Sequence, residues 1–148
     1  MPDSKSKNQK AKIKNKDLEA QLARALADYD NLTKRTEAEK ALWVSFAKKE
    51  LLVKLLPVID ALETAQKHLN DAGLDLVLGQ MRKIFTEEGI VEIEASGEFN
   101  PDLHEAVDTL PGGNKNQIAE VLQKGYKFTD GDVIRHARVR VYSGENKN

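Results

Sequence analysis

Residues 17–56, DLEAQLARALADYDNLTKRTEAEKALWVSFAKKELLVKLL, decide the fold. Leu18, Leu22, Ala25, Tyr29, Leu32, Thr36, Glu39, Trp43 and Phe46 follow one another at alternating steps of four and three, the coiled-coil period. Thr36 and Glu39 are the polar members, so the seam is imperfect between Leu32 and Trp43. Neither Gly nor Pro interrupts the run, and a continuous helix of this span is roughly 60 Å long. Alone it would hold its apolar stripe in water, so self-association is expected. Leu18, Leu22, Tyr29, Leu32, Trp43 and Phe46 are the expected seam contacts.

After Phe46 the apolar face widens through Leu51, Leu52, Leu55, Leu56, Ile59, Leu62 and Leu69. A broad stripe suits a multi-helix bundle better than a two-helix seam, and Leu55, Ile59 and Leu62 are expected in that dimer contact. Pro57 removes one hydrogen bond and crowds the carbonyl four residues back, which predicts a kink or break there. Asn70-Asp71-Ala72-Gly73 punctuates the chain. A second, short helix follows with Leu74, Val77, Leu78, Met81, Ile84 and Phe85 on one face, and Gly89 is placed to end it. Two such helices per chain, doubled by dimerisation, make a four-helix bundle.

Beyond Gly89 the period becomes two: Val91, Ile93 and Ala95 alternate with Glu92, Glu94 and Ser96, a half-buried strand. Asn100-Pro101-Asp102 predicts a helix start, with Asn as N-cap and one turn carrying Leu103, His104 and Val107. Residues 118–128 and 133–142 read as strands joined across Asp130-Gly131, a hairpin signal. On the last strand Val133, Arg135, Ala137, Val139 and Val141 share one face, and Ile134, His136, Arg138, Arg140 and Tyr142 the other. The fold class is therefore α+β. Residues 1–16 form a disordered lysine-rich tail, 17–56 a long dimeric coiled-coil helix, 57–89 a helical bundle region and 90–148 a small all-β wing.

Composition narrows the function. Of 148 residues 32% are charged and 5% aromatic, a thin core supply that suits an elongated, partner-sharing molecule. Residues 1–60 hold thirteen Lys/Arg against nine Asp/Glu, and residues 61–148 ten against fifteen, which leaves a net charge of −1 and argues against a dedicated nucleic-acid binder. Cysteine is absent, which excludes disulfides, thiolate metal sites and cysteine nucleophiles. His68, His104 and His136 show no metal-ligand spacing. No apolar run reaches the ~20 residues a membrane helix needs, and no secretory or organellar leader is visible, so a cytoplasmic protein is expected. A catalytic reading would rest on Asp102, His104, Glu105 and Asp108. The acids are explained as helix-start residues, and no phosphate-cradling glycine loop exists. Tyr142 beside Arg138 and Arg140 could offer a nucleic-acid surface, although a solvated face is the commoner use. Arg135, on the more apolar face, either snorkels to the edge or makes a specific contact.

Four separated motifs, in order, carry a resemblance. DYDNLTKRTEAEK (28–40), ELLVKLLPVIDALETA (50–65), FNPDLHEAV (99–107) and VLQKGYKFTDGDVIRHARVRV (121–141) together resemble the GrpE family, the nucleotide exchange factors of DnaK-type heat-shock chaperones. The resemblance covers about residues 20–142. It implies a parallel homodimer with paired long helices, a four-helix bundle and two β wings that engage the chaperone's ATPase domain. It implies that the factor itself makes and breaks no bond; no cofactor and no membrane partner are expected, and the charge balance disfavours a nucleic-acid partner. Residues carried over as chaperone contacts are Asn31, Lys34 and Arg35 on the helix and Gly73 at the second bundle helix. In the wing they are Asn100, Pro101, His104, Ala106, Gly125, Tyr126, Arg135, Ala137 and Val141. The chain departs from the family at several points. Asp132 stands where an arginine is frequent, His136 where proline or a small residue is common, and Thr33 at a site that is often basic. The connection from Pro57 to Gly73 is short, and a lysine-rich tail replaces an acidic extension.

The polar stretch at Thr36 and Glu39 predicts that the N-terminal paired helix melts before the bundle and wing. Far-UV circular dichroism should resolve two thermal transitions; one concerted loss would contradict the reading.

Overall fold

A computed structural model describes residues 2–144. The chain divides into two compact units, Met1–Ala47 and Lys48–Asn148. Its first element, α1, spans Pro2–Leu69.

In the first unit α1 stands alone. Tyr29 is 70% exposed and Trp43 72%, and Leu18, Leu22, Leu32 and Phe46 are likewise open. The described part of the expected disordered tail, residues 2–16, is helical. The reason lies in composition: residues 3–16 contain no Gly or Pro, and six of the fourteen are Lys, a good helix former. A helix nucleated further along therefore extends into them at little cost per residue. Local pairs lace this unit, Lys34 with Asp30 at 2.7 Å and Arg35 with Glu39 at 2.8 Å.

In the second unit α1 continues through Pro57, so the expected break does not occur. Leu56 and Ile59, on either side of the proline, are 0% and 4% exposed. Burying two such side chains is worth roughly 3–6 kcal/mol. That is enough to offset the ~3 kcal/mol a mid-helix proline costs. The burial of Ile59 also corrects the expected dimer surface: the chain's own β wing covers this residue. Helix α1 ends at Asn70, whose φ of 49° is left-handed and whose N–H donates to the Gln66 carbonyl at 2.8 Å. Helix α2, Ala72–Glu87, follows, with Asp71 as N-cap accepting from the Leu74 N–H at 2.9 Å. Gly89, at φ 71°, ends it as expected.

Six strands follow: β1 Ile90–Glu92, β2 His104–Leu110, β3 Ile118–Gln123, β4 Tyr126–Phe128, β5 Val133–Arg135 and β6 Ala137–Tyr142. They form two three-stranded sheets, ordered β1-β4-β5 and β2-β6-β3. The first sheet packs Ile90, Tyr126, Phe128 and Ile134 against Leu56 and Ile59 of α1, with Met81 and Phe85 of α2 alongside. The second sheet has its own core of Ala137, Val139 and Val141 with Ile93, flanked by Phe99, Leu103 and Ile118.

Three further expectations need correction. Asn100-Pro101-Asp102 opens a tight turn, not a helix. The Asn100 side chain accepts from the Asp102 N–H at 2.9 Å, its carbonyl accepts from the His104 N–H at 2.8 Å, and the chain then enters β2. Asn favours N-caps and Asx turns equally. The parallel pairing of β2 with β6, helped by β-branched Val107 and Thr109, selects the turn. The two expected long strands are each split, at Lys124-Gly125 and at His136, because each passes from one sheet to the other. Ile134, expected on the solvated face, is consequently buried in the first core. The Asp130-Gly131 turn joins β4 to β5 as expected, with Gly131 at φ 99°.

The crossing is tight. A Cβ on Gly125 would lie 2.3 Å from the Ala137 backbone nitrogen, whereas one on Gly79 in α2 meets nothing within 4 Å. Gly125→Ala should therefore lower stability by about 2–4 kcal/mol. Gly79→Ala should raise it by about 0.5–1 kcal/mol. Urea-denaturation midpoints of the two variants check both signs.

Candidate functional site

The wing meets the helix at a polar belt around the first core. Arg135, at the end of β5, points back at α1. Its Nη1 and Nη2 donate to the two carboxylate oxygens of Asp60 at 2.7 and 2.9 Å. Nε and Nη2 also donate to the Lys124 carbonyl at 3.1 and 2.6 Å. The Arg135 side chain is 17% exposed, and its guanidinium carbon lies 5.9 Å from the Tyr126 ring centroid. Of the two readings the sequence left open, Arg135 makes the specific contact, and it makes it within its own chain. Gln123 donates to Asp60 at 2.8 Å, and Lys124 pairs with Glu63 at 2.9 Å and with Glu92 at 3.5 Å.

Three ionisations respond to this belt. Burial pushes the Asp60 carboxyl up, but hydrogen bonds from Arg135 and Gln123 and the charges of Arg135 and Lys124 outweigh it and hold the group below its ordinary range. Burial pulls the Lys124 ammonium down, yet Glu63 and Glu92 together raise it. Tyr126 is pushed up to about 12, first by burial and then by Glu63, Glu92 and Asp60.

A second contact ties the β4–β5 turn to the helix: Lys49 reaches Asp132 at 2.9 Å, and beside it Lys48 reaches Glu88 at 2.6 Å. The acid at position 132 thus pairs within the chain. His104, 5% exposed, accepts from the Asn100 N–H at Nδ1 (3.0 Å) and contacts the Glu94 carbonyl through Nε2 (2.8 Å). An amide can only donate and a carbonyl only accept. The ring is therefore neutral with its proton on Nε2, pinning the turn before β2 to the segment after β1.

The residues singled out by sequence fall into two groups. Asn31, Lys34 and Arg35 lie exposed on α1, and Gly73, Asn100, Pro101 and Ala106 are exposed too. His104, Gly125, Tyr126, Ala137 and Val141 are buried within the wing, where they shape the surface rather than form it. The acids of the catalytic reading are spread out. Glu105 faces Arg138 at 3.6 Å, and Asp108 faces Arg140 at 3.5 Å, with Glu120 also on Arg140 at 3.1 Å. These pairs occupy the cations of the alternative nucleic-acid face, and the Tyr142 ring lies against Gly113. Among the described residues no group of His, Asp or Glu is arranged to hold a metal ion. Sequence reasoning missed Asp60, Glu63 and Lys49. A signal for the first two existed: at helical spacing they share the face of Leu56 and Ile59, where an unpaired carboxylate is unfavourable and calls for a cation.

A model of the family described as GrpE matches residues 1–143. A protein named Protein GrpE from Caldanaerobacter subterraneus subsp. tengcongensis is 40% identical over 126 residues, covering 80% of this chain and 61% of that protein. Another of the same name, from Campylobacter curvus, is 38% identical over 144 residues, covering 88% of this chain and 80% of its own. A third, from Campylobacter fetus, is 40% identical over 121 residues, covering 74% and 69%. The chain thus spans about three fifths of the first of these relatives.

Arg135→Ala strands the Asp60 carboxylate and the Lys124 carbonyl, and should cost about 2–4 kcal/mol at neutral pH. The sign with pH follows from the shifts. Asp60 binds its proton more weakly when folded, so its contribution is present above the ordinary carboxylate range and is lost as pH falls through the lower folded value. Lys124 and Tyr126 hold their protons more tightly when folded, so theirs is present below their ordinary values and is lost in alkali, for Tyr126 as pH rises through about 12. Urea titrations of the parent and Arg135→Ala across acid pH should show the stability gap closing as Asp60 protonates. A gap independent of pH would refute the pairing energetics.

Proposed function

The chain belongs to the GrpE family, and from that premise we propose that it is the nucleotide exchange factor of a DnaK-type chaperone, acting in the cytoplasm as a parallel homodimer. Among the described residues no helix is long and apolar enough to cross a membrane. The observation that carries the reading is the pairing of two features in one chain: a helix whose apolar seam is exposed, and a wing clasped to the later part of that helix by Arg135 and Asp60.

Leu18, Leu22, Tyr29, Leu32, Trp43 and Phe46 are the contacts proposed for the paired helices. In the second unit Leu55 and Leu62 of α1, with the exposed Leu76, Val77 and Ile84 of α2, provide the apolar faces for a four-helix bundle. A wing fixed to its helix can transmit force. Such a factor binds the open nucleotide cleft of the chaperone's ATPase domain better than the closed, ADP-holding one, so ADP leaves and ATP can enter. By linkage, factor and nucleotide weaken each other's binding equally. No bond is made or broken by the factor, so it is not an enzyme. It serves protein folding and the stress response through the chaperone's cycle.

Helix contacts to the chaperone are assigned to Asn31, Lys34 and Arg35. In the wing, direct contact falls to Asn100, Pro101 and the exposed apolar residues Val107, Val121 and Leu122. His104, Gly125, Tyr126, Ala137 and Val141 hold that surface in shape.

Micromolar dimer should accelerate the release of labelled ADP from the cognate chaperone at least tenfold, and no acceleration would sink the proposal. The double variant Leu22→Asp, Leu32→Asp should shift the chain to monomer in sedimentation equilibrium and slow exchange. Undiminished exchange by the monomer would remove the dimer from the mechanism.

A further inference from the structure

The second unit contains a cavity of about 230 Å³ between α1, α2 and β1. Its walls are Ile59, Leu78, Met81, Phe85, Ile90 and Tyr126. Glu63, Arg82 and Glu92 line it too, but these charges are compensated. Lys124 lies 2.9 Å from Glu63 and 3.5 Å from Glu92, and Arg82 lies 3.9 Å from Glu63. Two carboxylates meet two cations, so the opening carries no net charge. We infer that this cavity is a binding site for a small, neutral, mostly apolar ring compound of one or two fused rings.

Three arguments support the ligand class. First, an apolar cavity of about 150 Å³ is known to stay dry and take benzene, so this one has room for a ring of indole size. Second, a charged ligand would have to break the Lys124–Glu63 or Arg82–Glu63 pairs to gain a partner, whereas a neutral one leaves them intact. Third, Phe85 and Tyr126 already pack edge to face with centroids 5.5 Å apart, an arrangement that accepts a further ring in the same geometry. The site goes beyond the exchange function and does not depend on it. Leu78, Met81 and Phe85 face the cavity, while Leu76, Val77 and Ile84 are the exposed apolar residues of α2. Pairing α2 through the second set therefore leaves the cavity free. A ligand seated there touches α1, α2, β1 and β4 at once, so it stabilises the clasped wing by binding the folded state alone.

The test uses the full chain with indole as probe. The sequence has only two methionines, Met1 and Met81, so their methyl resonances are readily assigned. The Met81 methyl should shift saturably at one indole per chain, with a dissociation constant of roughly 1 mM or tighter, while that of Met1 stays still. Val91→Phe on β1 and Thr86→Phe on α2, both at residues that line the cavity, should weaken binding at least tenfold. If Val91→Phe fails to fold, Thr86→Phe on the exposed surface of α2 carries the test. Unsaturable shifts, or shifts centred on the exposed Leu42, Trp43 and Phe46 patch, would overturn the proposal. So would displacement of indole by one equivalent of the chaperone's ATPase domain, which would assign the cavity to a partner side chain.

Discussion

The second unit depends on the point where its β chain crosses between sheets. Neither sheet has enough buried side chains to stand alone, and three-stranded sheets need a packed face to persist. The crossing joins them, and it breaks the ladder at Lys124-Gly125 and at His136. A broken ladder leaves backbone groups without strand partners, which must be satisfied another way. Arg135 meets that need. It donates twice to the Lys124 carbonyl and twice to Asp60 on α1, so one guanidinium repairs the strand gap and fixes the wing to the helix. A lysine could not do both, because the planar fork supplies the geometry. An ion pair removed from water gains little over an apolar substitute, whereas a stranded partner is expensive. What the clasp contributes is a defined seat for the wing.

That seat explains how α1 distributes its apolar residues. The widened stripe after Phe46 serves two surfaces. Leu56 and Ile59 turn inward to the first sheet, while Leu55, Val58 and Leu69 remain exposed. Ile59 looked like a bundle contact because helical periodicity reports only that a face is apolar, not what covers it. Pro57 sits between the two buried positions on the exposed side, and the helix continues past it.

The features legible in sequence are those fixed by local rules. The unbroken helix over 17–56, the break at Asn70-Asp71-Ala72-Gly73, the Gly89 terminator and the Asp130-Gly131 hairpin each rest on local residue types, and each is present. The features that escaped depend on distant pairing. Asn100-Pro101-Asp102 suits a helix or a turn equally until β6 arrives from more than thirty residues away to pair with β2. Gly125 reads as a strand glycine until Ala137 is placed against it. Four of the buried wing residues matched by family motif, His104, Gly125, Tyr126 and Ala137, cluster around the turn and the crossing. A motif can therefore mark a fold constraint as readily as a contact, and only burial separates the two.

Asp132, expected from the resemblance to stand where an arginine is frequent, finds its partner within the chain. An arginine at that position would confront Lys49, the residue Asp132 now meets at 2.9 Å. The acid reverses the sign of the hairpin tip and converts a repulsion into a pair. Both side chains remain at least a third exposed, so the pair adds little to stability. Its effect is on what the wing presents. A free arginine at the tip would offer a partner a cation, while the Lys49–Asp132 pair offers a locally neutral tip. Under the proposed exchange function, recognition through this wing would rest on its exposed apolar residues, Val107, Val121 and Leu122, with Arg135 acting through the posture it imposes on them.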